Sequence, residues 1–180
     1  MRHLLLLTIV LLLAGLSFVL YRWPRGAQYS FSQHAAQTKS ASIFYALLFL
    51  ITSPILVLYF GFWFIPTFQA PQILLYVIIL VGIFQVACTL APERGSKRRV
   101  LAHRLLAGVS GALLLPAAAL IFLSSIDEVA KIIVLIGGIT MLFVVTYILA
   151  HGNKLVTWRL QLVYYSGFLL PLAWVTYASA

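Results

Sequence analysis

Six long apolar runs, separated by short polar stretches, make up most of the chain. They cover residues 4–21, 41–64, 72–91, 100–123, 129–150 and 157–178. Each run has about 20 residues, the length that an α-helix needs to cross a hydrocarbon layer of about 30 Å. No run alternates between apolar and polar residues as a membrane β-strand does. The pattern therefore predicts an all-α fold, a polytopic transmembrane helical bundle of about six spans in one domain over residues 1–180.

The polar stretches hold residues that commonly end or begin helices. Pro66 and Pro71 bracket the second connection, and Pro92 opens the third. Asp127 and Glu128 lie in the fourth, where acidic side chains favour the start of the next helix. We therefore expect the helices to end close to the limits of the apolar runs.

The first run could also be the apolar part of a cleaved signal peptide, because Arg2 precedes it. However, it lacks a small-x-small cleavage site and ends in Tyr21-Arg22-Trp23, which is typical of a helix anchored at the membrane interface. We therefore expect a retained first helix.

Composition indicates that lipid surrounds the chain. Of the 180 residues, 63% are hydrophobic and 8% are charged, and the mean hydropathy is +1.08. A water-soluble globule needs more polar surface than this. The formal charge of +9 does not indicate nucleic-acid binding, because the basic residues lie in short connections between apolar runs. The single cysteine, Cys88, excludes a disulfide within the chain and a cysteine-based metal motif.

The distribution of basic residues predicts an orientation. Ten lie in or beside the first, third and fifth connections: Arg22, Arg25, Lys39, Arg94, Lys97, Arg98, Arg99, Arg104, Lys154 and Arg159. The opposite side has Arg2 and Lys131. Because basic connections remain in the cytoplasm, the bias favours a multi-pass protein of the cell membrane with both termini outside.

Three prolines, Pro54, Pro116 and Pro171, lie inside apolar runs. Each removes a backbone hydrogen bond and is expected to bend its helix. Ordinary bends of a membrane bundle are favoured, and the alternative is a set of three bends around a cavity. Arg104 and Arg159 precede the last two prolines by twelve residues each, which raises the alternative of a bundle of three helical hairpins without favouring it. Leucine is common enough in this chain for chance to account for part of that match.

No Asp, Glu, Lys or Arg lies near the centre of a run, so a carboxylate-coupled transporter is not expected. Gln85 is the least expected polar residue within a run, and we favour a hydrogen bond between helices for it over a contact with a substrate. Gly108 and Gly111, like the pair Gly137-Gly138, predict places where helices pack closely.

Three histidines, His34, His103 and His151, fall on the basic side of the predicted bundle. Histidines from separate connections can bind a metal, and two at equal depth can hold haem. No His-x-x-x-His pair or cysteine supports such a site, so interfacial histidines are favoured and no cofactor is expected.

The densest basic segment is a candidate site for lipid headgroups or other anions. The candidate residues of this segment are Arg94, Lys97, Arg98, Arg99 and Arg104. Arg159, which has the same position relative to its run as Arg104, and His103 complete the set. Contact with ordinary phospholipids is favoured over a specific ligand. Arg104, Arg159 and His103 are the first residues to test if a specific ligand binds there.

Short motifs give the chain a resemblance to a known family. Ser30-Phe31-Ser32-Gln33-His34, Ser42-Ile43-Phe44, Pro92 and the segment from His103 to Ala107 resemble prokaryotic multi-span membrane proteins of the domain of unknown function 998 family. The resemblance implies a multi-span membrane protein and supplies no catalytic residues.

The leading hypothesis for function is a non-enzymatic membrane protein that binds lipid or associates with a membrane partner, including a second copy of itself. No catalytic constellation is present in the sequence, and no nucleic-acid partner is expected. A transporter or scramblase for a neutral or amphipathic solute is the alternative, based on the three prolines and Gln85. A haem or metal redox protein using the three histidines is the third hypothesis.

Overall fold

The computed structural model describes residues 1–91, 93–151 and 156–178, and every regular element in these ranges is helical. The elements are α1 (His3–Arg22), α2 (Phe31–Ala35), α3 (Lys39–Tyr59), a π-helical turn (Phe60–Phe64), α4 (Ile65–Phe68), α5 (Ile73–Leu90), α6 (Lys97–Phe122), α7 (Glu128–His151) and α8 (Trp158–Ala178). All six predicted runs form helices, which confirms the helical bundle. Two residues used in the predictions lie outside the described residues. They are Pro92, which is assigned to a turn, and Lys154, which is assigned to the basic side.

Five helical segments are long and apolar enough to cross a membrane: α1, the continuous segment Lys39–Phe68, α5, α6 and α7. They identify the chain as a membrane protein. The sixth predicted span forms α8, which has 21 residues but carries Arg159, Gln161 and Ser166 in its first half. It is not among those five segments, so its passage through the membrane stays a prediction.

The predicted end of the second span, at residue 64, is too early. Its helix does not stop at residue 64 but continues through the π-helical turn and α4 to Phe68, with Pro66 inside it. Pro66 lies just after the π-helical turn, where the regular α-helical hydrogen-bond pattern is already interrupted, so its missing N–H disturbs the helix less there. Gln69, with a φ of 48°, ends the helix in the left-handed conformation.

Neighbouring long helices pack in chain order, with α1 on α3, α3 on α5, α5 on α6, α6 on α7 and α7 on α8. α8 then returns to the beginning of the chain. The Tyr177 hydroxyl donates to the Arg2 carbonyl at 3.2 Å, and the Tyr59 hydroxyl lies 2.6 Å from Thr176 Oγ1. α3 packs extensively on both α1 and α5. The first predicted hairpin, α1 with α3, therefore also packs against the following helix α5.

The helices α7 and α8 approach each other closely at two glycines. A Cβ atom on Gly137 would overlap the carbonyl oxygen of Gly167, and a Cβ atom on Gly167 would lie 2.9 Å from the carbonyl oxygen of Gly137. The backbones are therefore in direct contact, as in other membrane helix pairs with small residues at the crossing. The expectation of close packing is confirmed at Gly137.

The alternating helices bring most basic residues to one end of the bundle, which we call the basic end. There the Trp158 N–H donates to the Tyr29 carbonyl at 2.9 Å, and the Ser32 hydroxyl donates to Glu93 at 3.0 Å. The described basic residues of this end are Arg22, Arg25, Lys39, Arg94, Lys97, Arg98, Arg99, Arg104 and Arg159. Arg2 and Lys131 lie at the opposite end, where Asp127 Oδ1 accepts the Ala130 N–H at 2.9 Å and caps α7.

Candidate functional site

A cavity of about 470 Å³ lies at the basic end between α6, α7 and α8. Its volume falls within the range of small-molecule sites. The polar residues that line it, which we call the mouth, are Ser30, Ser32, Gln33, Glu93, His103, Arg104 and Gln161. The remaining lining residues form the apolar wall: Ala107, Gly108, Gly111, Ala112, Val144, Val145, Ile148, Leu149, Val156, Leu160, Tyr164 and Tyr165. From Arg104 to Ala112 the cavity follows α6 for about 12 Å.

Glu93 is the central acceptor of the mouth. Its side chain is 8% exposed. The Ser32 hydroxyl donates to Oε2 at 3.0 Å, while Gln33 Nε2 and Arg104 Nε donate to Oε1 at 3.3 Å and 3.0 Å. A buried carboxylate needs such donors, because an uncompensated charge in this position would be costly. Glu93 therefore joins the first connection to the start of α6.

The short helix α2 brings Ser32 and Gln33 to the mouth. Ser30 begins this helix with a capping box, in which its hydroxyl accepts the Gln33 N–H at 3.2 Å and Gln33 Oε1 accepts the Ser30 N–H at 3.0 Å. The Phe31 N–H donates to Gln161 Oε1 at 2.9 Å, and the rings of Phe31 and Trp158 lie 6.2 Å apart. These contacts hold α2 against the start of α8, over the cavity.

His103 is buried and attaches α6 to the end of α5. Its Nδ1 lies 2.9 Å from the Cys88 carbonyl oxygen and 2.7 Å from the Ala91 carbonyl oxygen. Because carbonyl oxygens cannot donate, the proton must be on Nδ1. The carbonyls at the end of a helix lack partners within it, so His103 satisfies this part of α5. Its ring also lines the cavity.

His34 and His151, the other two candidates for a metal or haem, have separate roles. His34 Nδ1 lies 3.0 Å from the Trp23 carbonyl oxygen and Nε2 lies 3.2 Å from that of Gly26, which ties the first connection together. His151 is exposed, and its ring stacks on Tyr147 at 4.5 Å. Among the described residues, no three His, Cys, Asp or Glu side chains form a group that could hold a metal ion.

Of the predicted anion-binding residues, the structure places Arg104 and His103 in the cavity. Arg159 is exposed, and its Cζ lies 5.4 Å from the centre of the Trp158 ring. Four more are exposed at the basic end and do not line the cavity: Arg94, Lys97, Arg98 and Arg99. The predicted set therefore divides into two cavity residues and a surrounding positive surface.

Gln85 lies in the interface between α5 and α6 rather than in the cavity. The Ser110 hydroxyl lies 3.2 Å from Gln85 Oε1, which is the contact between helices favoured by the sequence. Pro54, Pro116 and Pro171 do not line the cavity either, and their helices α3, α6 and α8 continue through them. The cavity is therefore not one that the three prolines enclose, and the bends themselves stay a prediction.

Gly108 and Gly111 do not make the close helix contacts that the sequence suggested. A Cβ atom on Gly108 would have no neighbour within 4 Å, and one on Gly111 would lie 4.0 Å from the Tyr164 ring. Both residues line the cavity. A missing side chain permits either close approach or open space, and the sequence alone cannot distinguish the two.

Sequence reasoning did not single out Glu93 or Gln161 as site residues, and it used Ser30, Ser32 and Gln33 only for a resemblance. Glu93 is the most important of these, because it accepts three hydrogen bonds in the mouth. The available signal was one acidic residue within an otherwise basic connection. Two segments quoted for the resemblance also supply mouth residues: Ser30, Ser32 and Gln33 from the first, and His103 with Arg104 from the second. The family resemblance itself stays a prediction, since no protein-family model, no curated protein and no solved structure matches the chain.

Proposed function

We propose that the protein binds an amphipathic membrane molecule, a lipid or a lipid-like compound, without catalysing a reaction on it. The supporting observation is the cavity, which has a charged and hydrogen-bonding mouth and an apolar wall. A polar headgroup fits beside Glu93 and Arg104, and a hydrocarbon chain fits along Val145 and Ile148. Leu149 of the wall is 79% exposed. The cavity is therefore bordered on the α7 side by surface that lipid reaches.

A leucine at Gly108 tests this proposal. Because a Cβ atom there meets no atom within 4 Å, the Gly108→Leu side chain would enter the cavity and occupy part of it. We expect the variant to weaken binding of the lipid that copurifies with the protein by about tenfold, because the leucine would take up space that the lipid needs. Native mass spectrometry of the purified protein would measure the bound fraction.

Gly138→Leu is the matched control. Gly138 is also a helical glycine with no neighbour within 4 Å of a Cβ atom, but it does not line the cavity. It should keep the lipid occupancy of the unmodified protein. Equal occupancy in both variants would exclude the cavity as the binding site.

We also propose that all six runs cross the cell membrane, with the basic end in the cytoplasm and both termini outside. The ten-to-two distribution of basic residues in the sequence supports this orientation. Alkaline phosphatase fused after Ala180 should be active, and a green fluorescent protein fused there should be dark. The reverse pair of results would place the basic end outside and remove the argument for contact with the anionic leaflet.

Transport of an amphipathic solute or lipid scrambling is a second candidate. The Tyr164 hydroxyl donates to the Gly111 carbonyl, next to the apolar core around Leu114 and Phe168. A transported molecule would have to pass this closed half of the bundle. Liposomes containing the protein would decide between the two, since a binding protein without transport activity gives no flux of labelled lipid or solute.

The proposed partners are membrane lipids, with a membrane-protein partner or a second copy as the alternative. Crosslinking in native membranes would detect either protein partner. Soret absorbance or bound metal in the purified protein would instead support the redox hypothesis.

A further inference from the structure

We infer that the ligand is a single-chain amphiphile with an anionic head, a carboxylate or a phosphate monoester, which accepts hydrogen bonds from the Arg104 guanidinium. This inference rests on the proposed function, because it names the chemistry of the molecule in the same cavity. Three features of the mouth and wall carry it: the unused donors, the charge balance and the volume.

The first feature is the number of unused donors. A guanidinium has five N–H donors. Of the donors of Arg104, only Nε has an acceptor among the described residues, namely Glu93 Oε1 at 3.0 Å. The Arg104 side chain is 47% exposed and lines the cavity. Gln161 lines it too, and its Oε1 already accepts the Phe31 N–H. The amide NH₂ of Gln161 is therefore a further donor for a bound head.

The second feature is charge. Glu93 is the acidic residue of the mouth. The Arg104 guanidinium balances its charge, while Ser32 and Gln33 donate neutral hydrogen bonds to its carboxylate. The exposed basic residues at the start of α6 add positive potential without matching acids among the described residues of this end. A cationic head would face this potential, whereas a carboxylate or phosphate would be attracted by it.

The third feature is volume. A cavity of about 470 Å³ lies in the lower part of the range of small-molecule sites, about 300–1,000 Å³. One hydrocarbon chain with a small head fills this space. The second chain of a diacyl lipid would remain outside it.

The experiment uses the full chain in phosphatidylcholine nanodiscs and competition against a radiolabelled myristate probe. The competitors share one chain and differ in the head: myristate, myristyl phosphate, monomyristoyl glycerol and myristyl trimethylammonium. We expect the two anionic compounds to bind at least about tenfold more tightly than the others, and their order distinguishes carboxylate from phosphate. Lysophosphatidate should also compete better than diacyl phosphatidate.

The outcomes separate the inference from the proposed function. The neutral or cationic compound could bind as tightly as the anionic compounds, or more tightly, while Gly108→Leu still blocks its binding. That result would contradict the inference of an anionic head but would still support the cavity as the binding site. Equal competition by diacyl phosphatidate would overturn the single chain. Absence of binding by every compound, or binding unchanged by Gly108→Leu, would overturn both proposals.

Two arginine variants test the contact itself. Arg104→Gln and Arg98→Gln each remove one positive charge, but Arg98 is exposed and does not line the cavity. We expect Arg104→Gln to weaken binding of the anionic probes at least about tenfold and Arg98→Gln to change it less than about twofold. Equal effects would overturn the contact. Arg104→Lys, which keeps the charge, should give an intermediate affinity and covers the case in which Arg104→Gln does not fold.

Discussion

Replacement of Gly137 with alanine is expected to lower the free energy of unfolding by about 3 kcal/mol, the upper part of the range for overpacked sites. The added Cβ atom would overlap the carbonyl oxygen of Gly167, which is backbone and cannot rotate away as a side chain can. α7 and α8 would have to separate along their contact. Thermal unfolding of the purified protein in detergent, followed by circular dichroism, would measure the loss.

The neighbouring glycine provides the control. A Cβ atom on Gly138 meets nothing within 4 Å, and alanine is the better helix former by about 1 kcal/mol. Gly138→Ala should therefore be neutral or slightly stabilising. A similar loss of stability in both variants would show that the direct backbone contact between α7 and α8 is not formed.

The long helices could be predicted from the sequence because each depends on a local property. Runs of about 20 apolar residues can satisfy their backbone groups in lipid only as helices, and this holds whatever their neighbours are. The alternation of helix direction then places Arg22, Arg98 and Arg159 at one end of the bundle without any knowledge of packing. The contact between Gln85 and Ser110 follows similarly, because a buried amide needs a partner on a neighbouring helix.

The details that the sequence did not predict depend on contacts between distant segments. Pro66 suggested the end of a helix, but a π-helical turn before it allows the chain to continue to Phe68. Gly108 and Gly137 are both glycines within apolar runs, so the sequence does not distinguish them. In the structure Gly108 faces open space, whereas Gly137 faces the backbone of Gly167. Only the relative positions of α6, α7 and α8 decide between these outcomes.

Glu93 shows the same limit within the candidate site. Its donors Ser32 and Gln33 are 61 and 60 residues away in sequence. A local interpretation could identify it only as a turn residue. Its role depends on α2 folding over the start of α6, and the capping box that forms α2 was visible only as a serine three residues before a glutamine.

Replacement of Glu93 with glutamine is expected to lower the free energy of unfolding by about 2 kcal/mol. The amide keeps one acceptor oxygen but directs an NH₂ group toward donors from Ser32, Gln33 or Arg104. Most of the loss should come from Ser32 and Gln33, because the Arg104 side chain is 47% exposed and its ion pair is screened by solvent. Thermal unfolding in detergent would measure the change. Hydrogen exchange should also become faster in α2 (Phe31–Ala35), which Glu93 helps to hold.

Glu128→Gln is the matched control for this prediction. Glu128 also pairs with a basic side chain, Lys131 at 2.8 Å, but the Glu128 side chain is 83% exposed. An exposed pair of this kind contributes less than about 1 kcal/mol, so stability and exchange in α2 should both remain close to those of the unmodified protein. Equal effects of the two glutamine variants would mean that Glu93 is a surface residue. In that case α2 would not depend on the carboxylate for its position over the cavity.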